Sequence, residues 1–125
     1  MLPRNYRLTA YNDSGAAVDV TVTARRWKFD SNGAVVFEGA EATLLSATGV
    51  ADGTLATPGA GEDNSTDAYI GMDGVMSLAN GTGTDIVTLF LEPSTDDGTS
   101  WPSVQNGIPL AAGVPDDNDE VAFSA

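Results

Sequence analysis

The sequence contains no cysteine and no histidine. Without thiols the chain forms neither a disulfide nor a zinc–thiolate site, and without imidazole it has no histidine-based triad or metal site. Paired carboxylates remain as a means of catalysis, but no pair stands out among the many acids. We therefore expect a protein that is not an enzyme, with no catalytic residues and no cofactor.

A long apolar run is also missing. No segment approaches the roughly 20 residues that a bilayer-spanning helix needs, and alternating polar sequence begins directly after residues 1–4. We expect no signal peptide and no membrane partner. The protein is then made in a cytoplasm, where it stays or which it leaves as part of a larger particle.

Basic side chains are scarce and confined to one end. Residues 1–28 contain all five bases and two acids, for a net of +3, whereas residues 29–125 contain 16 acids and no base. The overall charge of −13 repels nucleic acid, so no nucleic-acid partner is expected. Two interpretations of the asymmetry stay open: solubility, including life in a salty habitat, or a bipolar molecule whose basic end meets an acidic partner.

The length of 125 residues suits one domain, residues 1–125, and 42% hydrophobic residues suffice for a core. This core is expected to be modest, because only nine residues are aromatic. Alternating apolar and polar positions predict strands, first over residues 4–11 after an N-terminal arm of residues 1–5, and then over residues 18–24.

The second strand raises a difficulty just beyond residue 24. If the alternation continued unbroken, Arg26 and Lys28 would share the core face with the preceding valines, which would be costly. A β-bulge at residues 25–26 would instead move Trp27 and Phe29 inward. We therefore predict a bulge there.

Later segments are less regular. Asn32-Gly33 between two apolar runs predicts a hairpin. Residues 40–46 suit a helical turn or a strand equally. Residues 46–66 lose all periodicity and are expected to form a flexible loop, either solvated or draped over a neighbouring subunit. Asp73-Gly74 is expected to be a turn or bulge between two strands.

The count of such segments is seven to nine short strands joined by long loops. Turn residues recur about every 8–12 residues, which is typical of antiparallel sandwiches and barrels. We predict an all-β fold, an antiparallel β-sandwich or a jelly-roll-like relative of it.

One motif stands out between two apolar runs near the C-terminal end. Asp96 can accept hydrogen bonds from N–H groups of its own turn, Gly98 can supply a positive φ, and Trp101 can pack over the hairpin. With Ser94, these residues resemble the Asp-box, a hairpin motif that is repeated in sialidase-type propellers and occurs singly in other β folds. Ser100 stands where a threonine is usual. A single copy cannot build a propeller, so the resemblance implies a structural hairpin.

The wider segment of residues 89–102 resembles part of small β-rich accessory virion proteins of tailed bacteriophages. That resemblance implies a capsid decoration or cement protein in the virion, assembled in the host cytoplasm. Its partners would be the major capsid protein or other virion proteins, and it would be a homo-oligomer, with a trimer favoured. A neck or tail component (adaptor, terminator or fibre attachment) is the alternative within the same class.

Contacts with a partner are expected from the basic end and from residues 46–66. The residues predicted to bind a partner are Arg4, Tyr6, Arg7, Arg25, Arg26 and Lys28.

Two further interpretations of side chains stay open. Acidic loops offer oxygen ligands to Ca²⁺, with Asp116, Asp117 and Asp119 as weak candidates, although solvated loops explain them as well. An exposed Trp27 or Trp101 would instead suit a carbohydrate-binding module that uses an indole as a sugar platform.

The charge distribution predicts a dependence of stability on salt. Because dissolved ions screen repulsion among the acids of residues 29–125, the midpoint of thermal unfolding should rise with ionic strength. Circular dichroism melts in a series of sodium chloride concentrations measure this. A midpoint that stays constant or falls with salt would contradict the prediction.

Overall fold

A computed structural model of the chain describes residues 2–102 and 107–125. Ten strands and one short 3₁₀ helix lie within these residues. The strands are β1 (Asn5–Asn12), β2 (Val18–Phe29), β3 (Val35–Phe37), β4 (Ala42–Val50), β5 (Thr54–Ala56), β6 (Glu62–Asp63), β7 (Gly71–Ala79), β8 (Val87–Pro93), β9 (Ile108–Gly113) and β10 (Glu120–Ser124), and the 3₁₀ helix is Pro115–Asp117.

The strands form two antiparallel five-stranded sheets that pack against each other. The first sheet has the order β5-β1-β8-β9, and β6 also pairs with β1. The second sheet has the order β10-β7-β2-β3, and β4 also pairs with β2. This architecture confirms the predicted all-β sandwich. Among the described residues, no helix is long and apolar enough to cross a membrane.

The core lies between the two sheets and follows the alternation of the strands. On β2, Val20 and Val22 are fully buried, as is Met76 on the neighbouring β7. From the first sheet, Leu8 and Leu89 face them, with at most 1% of their surface exposed. Because successive strand residues point to opposite faces, every second position of β1 and β2 builds this core.

The N-terminal arm predicted over residues 1–5 is packed onto the sandwich in its described part. Leu2 is only 5% exposed, and its N–H donates to the carbonyl of Ile70 at 2.8 Å. The carbonyl of Arg4 accepts the N–H of Asn64 at 2.7 Å, and β1 begins at Asn5. A buried leucine and two backbone hydrogen bonds tie this segment down.

Residues 46–66 are not the long loop that the sequence predicted. Strand β4 continues to Val50, and β5 and β6 both pair with β1. These two short strands raise the count above the predicted seven to nine. Backbone pairing with β1 replaces side-chain alternation as the ordering force, which is why small and polar residues suffice there.

Two other local predictions were wrong, and both concern β7 and its neighbour. The pairing of β2 with β7 runs without a register shift through Arg25, Arg26 and Trp27, so no bulge occurs at residues 25–26 on that side. The irregularities of β2 lie further back, on its β4 side. Nor do residues 73–74 form a turn or a bulge, because β7 is continuous from residue 71 to residue 79 and pairs there with β2 and β10 without a register shift.

A close approach explains the glycine at position 74. A Cβ on Gly74 would sit 2.5 Å from the carbonyl oxygen of Thr23 and 2.6 Å from the ring of Phe123. The missing side chain therefore allows the Phe123 ring of β10 to lie directly on β7.

Candidate functional site

The last part of β2 extends beyond its neighbours in the sheet. Pairing with β4 ends at Ala24 and pairing with β7 ends at Trp27, whereas β3 pairs with Trp27 through Phe29. We call residues 27–37 the ribbon, because they form a two-stranded hairpin at this end of the sheet. A two-stranded hairpin alone is marginally stable in water, so the ribbon depends on what holds its base and covers its faces.

One face of the ribbon is an exposed apolar patch. Trp27 pairs with Phe37 and Phe29 with Val35, and the side chains of such pairs share one face. Phe29 is 50% exposed, Val35 52% and Phe37 44%. The rings of Trp27 and Phe29 lie edge to face with centroids 5.6 Å apart, and the guanidinium of Arg25 lies 6.0 Å from the ring of Phe37. Contiguous patches of this kind mark interaction sites in water-soluble proteins.

The turn of the ribbon is fixed by its own hydrogen bonds. The carboxylate of Asp30 accepts the N–H groups of Asn32 at 2.8 Å and of Ala34 at 2.9 Å. Gly33 has a φ of +81°, which a glycine adopts without strain. The hairpin predicted from Asn32-Gly33 is therefore present, and its turn holds the patch in one arrangement.

The base of the ribbon is held by an ion pair between Arg26 and Glu38. Two guanidinium nitrogens of Arg26 donate to the two carboxylate oxygens of Glu38, at 3.1 and 2.9 Å, and the backbone N–H of Arg26 donates at 2.7 Å. Another guanidinium nitrogen donates to the hydroxyl of Tyr6 in the first sheet, at 3.4 Å. The side chains of Arg26 and Glu38 are only 16% and 11% exposed. One guanidinium thus connects the ribbon with both sheets.

These contacts shift the pKa values of the three groups. Burial acts to raise the pKa of Glu38, but the hydrogen bonds from Arg26 outweigh it and lower that pKa. The hydrogen bond to Glu38 raises the pKa of Arg26 further above its ordinary value. Burial raises the pKa of the Tyr6 phenol, which therefore stays neutral. Arg26 and Glu38 are charged and mutually paired, which is how the core face accommodates an arginine without a bulge.

A second buried ion pair lies on the first sheet. Glu92, 1% exposed, accepts hydrogen bonds from Arg7 at 2.9 Å and from the hydroxyl of Thr9 at 2.7 Å. The guanidinium of Arg7 lies 4.9 Å from the centre of the Trp101 ring. The indole thus packs on the arginine of this pair.

The six residues predicted to bind a partner therefore separate into two groups. Three of them make contacts within the fold, contrary to the prediction. Tyr6 is fully buried, and Arg7 and Arg26 form buried ion pairs. Three lie at the surface: Arg4, Arg25 and Lys28. Of these, Arg25 lies just before the ribbon on the side of the patch. Lys28 lies within the ribbon on the opposite face, paired with Val36, and donates to the carbonyl of Asp67 at 3.0 Å.

The structure brings the predicted hairpin motif together as one hydrogen-bonded turn. The hydroxyl of Ser94 donates to Asp96 at 2.8 Å and accepts the N–H of Gly98 at 2.9 Å. The N–H of Ser100 donates to Asp96 at 2.8 Å, and the Ser100 hydroxyl donates to the same carboxylate. Hydrogen bonds from Ser100 and Ser94 lower the pKa of Asp96 to about 2. Positive φ values of 56° at Asp97 and 84° at Gly98 complete the turn.

Trp101 is neither fully buried nor freely exposed. Its ring packs on Arg7 and against Gly61, where an added Cβ would overlap the indole. The indole therefore joins the 94–101 turn to the segment just before β6. Residues 103–106, which follow in the same connection, lie outside the described residues.

The three calcium candidates do not converge on one point. Asp116 and Asp117 are exposed on the 3₁₀ helix, and Asp119 accepts the N–H of Val114 at 2.9 Å. In the part of the chain that the structure describes, no three carboxylates are placed to hold a metal ion.

Sequence reasoning missed the ribbon patch as a candidate site. The pattern that could have revealed it is the apolar character of both arms of the Asn32-Gly33 hairpin, with aromatic residues in each arm. The predicted bulge places Trp27 and Phe29 in the core, and the alternative that exposes Trp27 treats its indole as a sugar platform and not as part of an apolar patch.

Comparisons with protein families, with curated proteins and with solved structures find no match to this chain.

The ion pair at the ribbon base predicts a large effect of removing one partner. Glu38→Ala leaves Arg26 buried without its carboxylate and should lower the free energy of unfolding by about 3 kcal/mol. The double variant Arg26→Met/Glu38→Met removes both charges and should recover much of that loss. Urea unfolding of the three proteins measures both effects. A Glu38→Ala loss below about 1 kcal/mol would show that the pair contributes little.

The lowered pKa of Glu38 gives the same prediction a pH dependence. Its stabilising contribution is fully present above the unfolded-state pKa of about 4.3 and is lost as pH falls through the lower folded-state pKa. The stability difference between the wild type and Glu38→Gln should therefore shrink below about pH 4. A difference that grows on acidification would contradict this sign.

The half-buried indole predicts an intermediate effect on stability. Trp101→Ala should lower the free energy of unfolding by about 1–2 kcal/mol, less than the 3–5 kcal/mol typical of a fully buried tryptophan. Trp101→Phe, which keeps a ring over Arg7, should lose less. Denaturant unfolding followed by circular dichroism measures both variants, and a loss as large as that of a core residue would contradict the half-buried placement.

Proposed function

We propose that this chain is a non-enzymatic structural protein of a bacteriophage virion, a capsid decoration protein that docks on the major capsid protein through its ribbon. The observation that carries the proposal is the apolar patch of Trp27, Phe29, Val35 and Phe37. Soluble proteins rarely leave several large apolar side chains together in water unless a partner covers them. Buried aromatic side chains also contribute most of the affinity of typical interfaces.

The charges around the patch indicate the chemistry of the partner. Arg25 lies beside the patch, with its guanidinium 6.0 Å from the ring of Phe37, whereas Lys28 lies on the opposite face of the ribbon. Residues 29–125 contain no base. A capsid surface with an apolar groove edged by carboxylates fits this arrangement, because opposite charges fix the register of an interface and raise the rate of association. The acidic remainder of the chain then faces away from the capsid.

The virion setting is supported by the resemblance of residues 89–102 to accessory proteins of tailed phages. Assembly in the host cytoplasm and a trimeric ring are part of this proposal. Light scattering on the purified protein separates the two alternatives within the class, since three copies favour decoration and six or twelve favour a neck or tail component. A monomer would contradict both assemblies.

The docking surface is tested by removing its aromatic side chains. Phe29→Ser/Phe37→Ser changes two side chains that are about half exposed, so the fold should persist. Ile86→Ser/Ile108→Ser is the matched control, because those isoleucines are 43% and 54% exposed and lie outside the ribbon. Affinity for capsids from the source phage, measured by co-sedimentation, should fall by about 100-fold or more in the phenylalanine variant alone.

Two results would overturn the proposal at different levels. Absence of the protein from purified virions by mass spectrometry would refute the virion function. Its presence there, together with unchanged capsid affinity of the phenylalanine variant, would refute the ribbon as the docking surface. Loss of oligomers in that variant with capsid binding retained would assign the ribbon to contacts between copies of this chain.

A further inference from the structure

A cleft separates the turn of the 94–101 motif from the segment that leads into β6. It has a volume of about 390 Å³, which accommodates about one sugar ring or a comparably small group. Its lining combines one aromatic ring, one buried amide, three carboxylates and a stretch of glycine and alanine: Trp101, Asn5, Glu62, Asp63, Asp97, Gly59, Ala60, Gly61 and Gly98.

The aromatic wall of the cleft is fixed by contacts with Arg7 and Gly61. The guanidinium of Arg7 lies 4.9 Å from the centre of the Trp101 ring, and Arg7 is itself fixed by the buried Glu92. Gly61 lies against the six-membered ring of the indole, where no larger residue would fit. A ring that is already immobilised loses little entropy when a ligand stacks on it.

The polar wall offers both donors and acceptors. Asn5 is 8% exposed, and its amide nitrogen donates to the Asp97 carboxylate at 3.3 Å. The exposed guanidinium of Arg4 lies 3.8 Å from the same carboxylate. Glu62 is about one third exposed at the cleft, with one carboxylate oxygen 3.8 Å from the guanidinium of Arg26. Asp97 is thus oriented by the amide of Asn5, Glu62 lies near the charge of Arg26, and both carboxylates line the cleft.

We propose that this cleft binds one residue of a neutral saccharide. Sugar hydroxyls both donate and accept, which matches the carboxylates and the Asn5 amide that line the cleft. The apolar C–H face of a pyranose matches the indole. An anionic ligand would meet three carboxylates, and a cation would compete with the guanidinium groups already placed beside them. The site is separate from the ribbon patch, and the proposal does not depend on capsid docking.

The chain has only two tryptophans, which makes a direct test available. In Trp27→Phe, Trp101 is the single indole and its fluorescence reports on the cleft alone. Titration of this variant with maltotriose, cellotriose and chitotriose should give a saturable change in Trp101 emission with at least one of them. The trisaccharide that responds is then measured by calorimetry with the wild-type protein.

Asp97→Asn tests the polar wall without disturbing the turn, because asparagine suits the positive φ at this position at least as well as aspartate. It should weaken binding by about tenfold, as expected for one charge-assisted hydrogen bond. Asp116→Asn, on the exposed 3₁₀ helix, is the matched control and should bind like the wild type. Trp101→Phe should weaken binding as well, with its fold checked by circular dichroism.

Three outcomes overturn the proposal. The first is a Trp101 emission that does not change on titration with any of the three trisaccharides. The second is binding that Asp97→Asn and Asp116→Asn reduce equally, which would place the ligand elsewhere. The third is a response to tetramethylammonium or free lysine instead of sugar, which would make the cleft a cation site. Capsid binding by the ribbon is unaffected by any of these results.

Discussion

The ion pair between Arg26 and Glu38 is the contact on which the architecture of this end of the sandwich depends. Strand β2 is longer than the core that it helps to build, and its alternation carries an arginine onto the core face. The structure accommodates this residue by pairing it with a carboxylate from beyond β3 and with a phenol from the opposite sheet. Because the pair satisfies the arginine, β2 continues straight and extends into the ribbon.

The second ion pair, Arg7 with Glu92, follows the same physical logic on the first sheet. In both places a carboxylate from the acidic remainder of the chain neutralises a base from the first 28 residues. The strong charge asymmetry of the sequence is therefore partly an internal arrangement. The bases left at the surface are Arg4, Arg25 and Lys28. Only these three are available to attract an acidic partner.

Sequence reasoning predicts the sandwich well, because the alternating valines of residues 18–24 and the Asn32-Gly33 turn are local patterns with a direct structural meaning. It fails at residues 46–66, where backbone pairing with β1 orders small residues that have no alternation of their own. It fails again at Arg26, since the cost of a buried base depends on a partner 12 positions away in sequence. The predicted bulge was a local repair for a difficulty that the fold resolves by a contact between separate segments.

The turn of residues 94–101 and the cleft beside it show the same limit of prediction from local sequence. The motif of Ser94, Asp96, Gly98 and Ser100 is local, and its residues do come together as one turn. What the motif faces is not local: Gly61 and Asn5 reach Trp101 and Asp97 only because β1 lies between β6 and β8 in the first sheet. A sequence pattern can identify the turn but not the cleft beside it.

The two surfaces that the fold presents are connected through one side chain. The guanidinium of Arg26 holds Glu38 at the base of the ribbon, and it also lies 3.8 Å from Glu62 at the edge of the cleft. Glu38 has the shorter contacts and most of the hydrogen bonds, so the ribbon base determines where the guanidinium sits. Glu62 is then oriented by a cation whose position another segment has already set. Any rearrangement of the ribbon base therefore changes the electrostatic environment of the cleft, whereas a ligand that displaces Glu62 alone leaves the stronger pair intact.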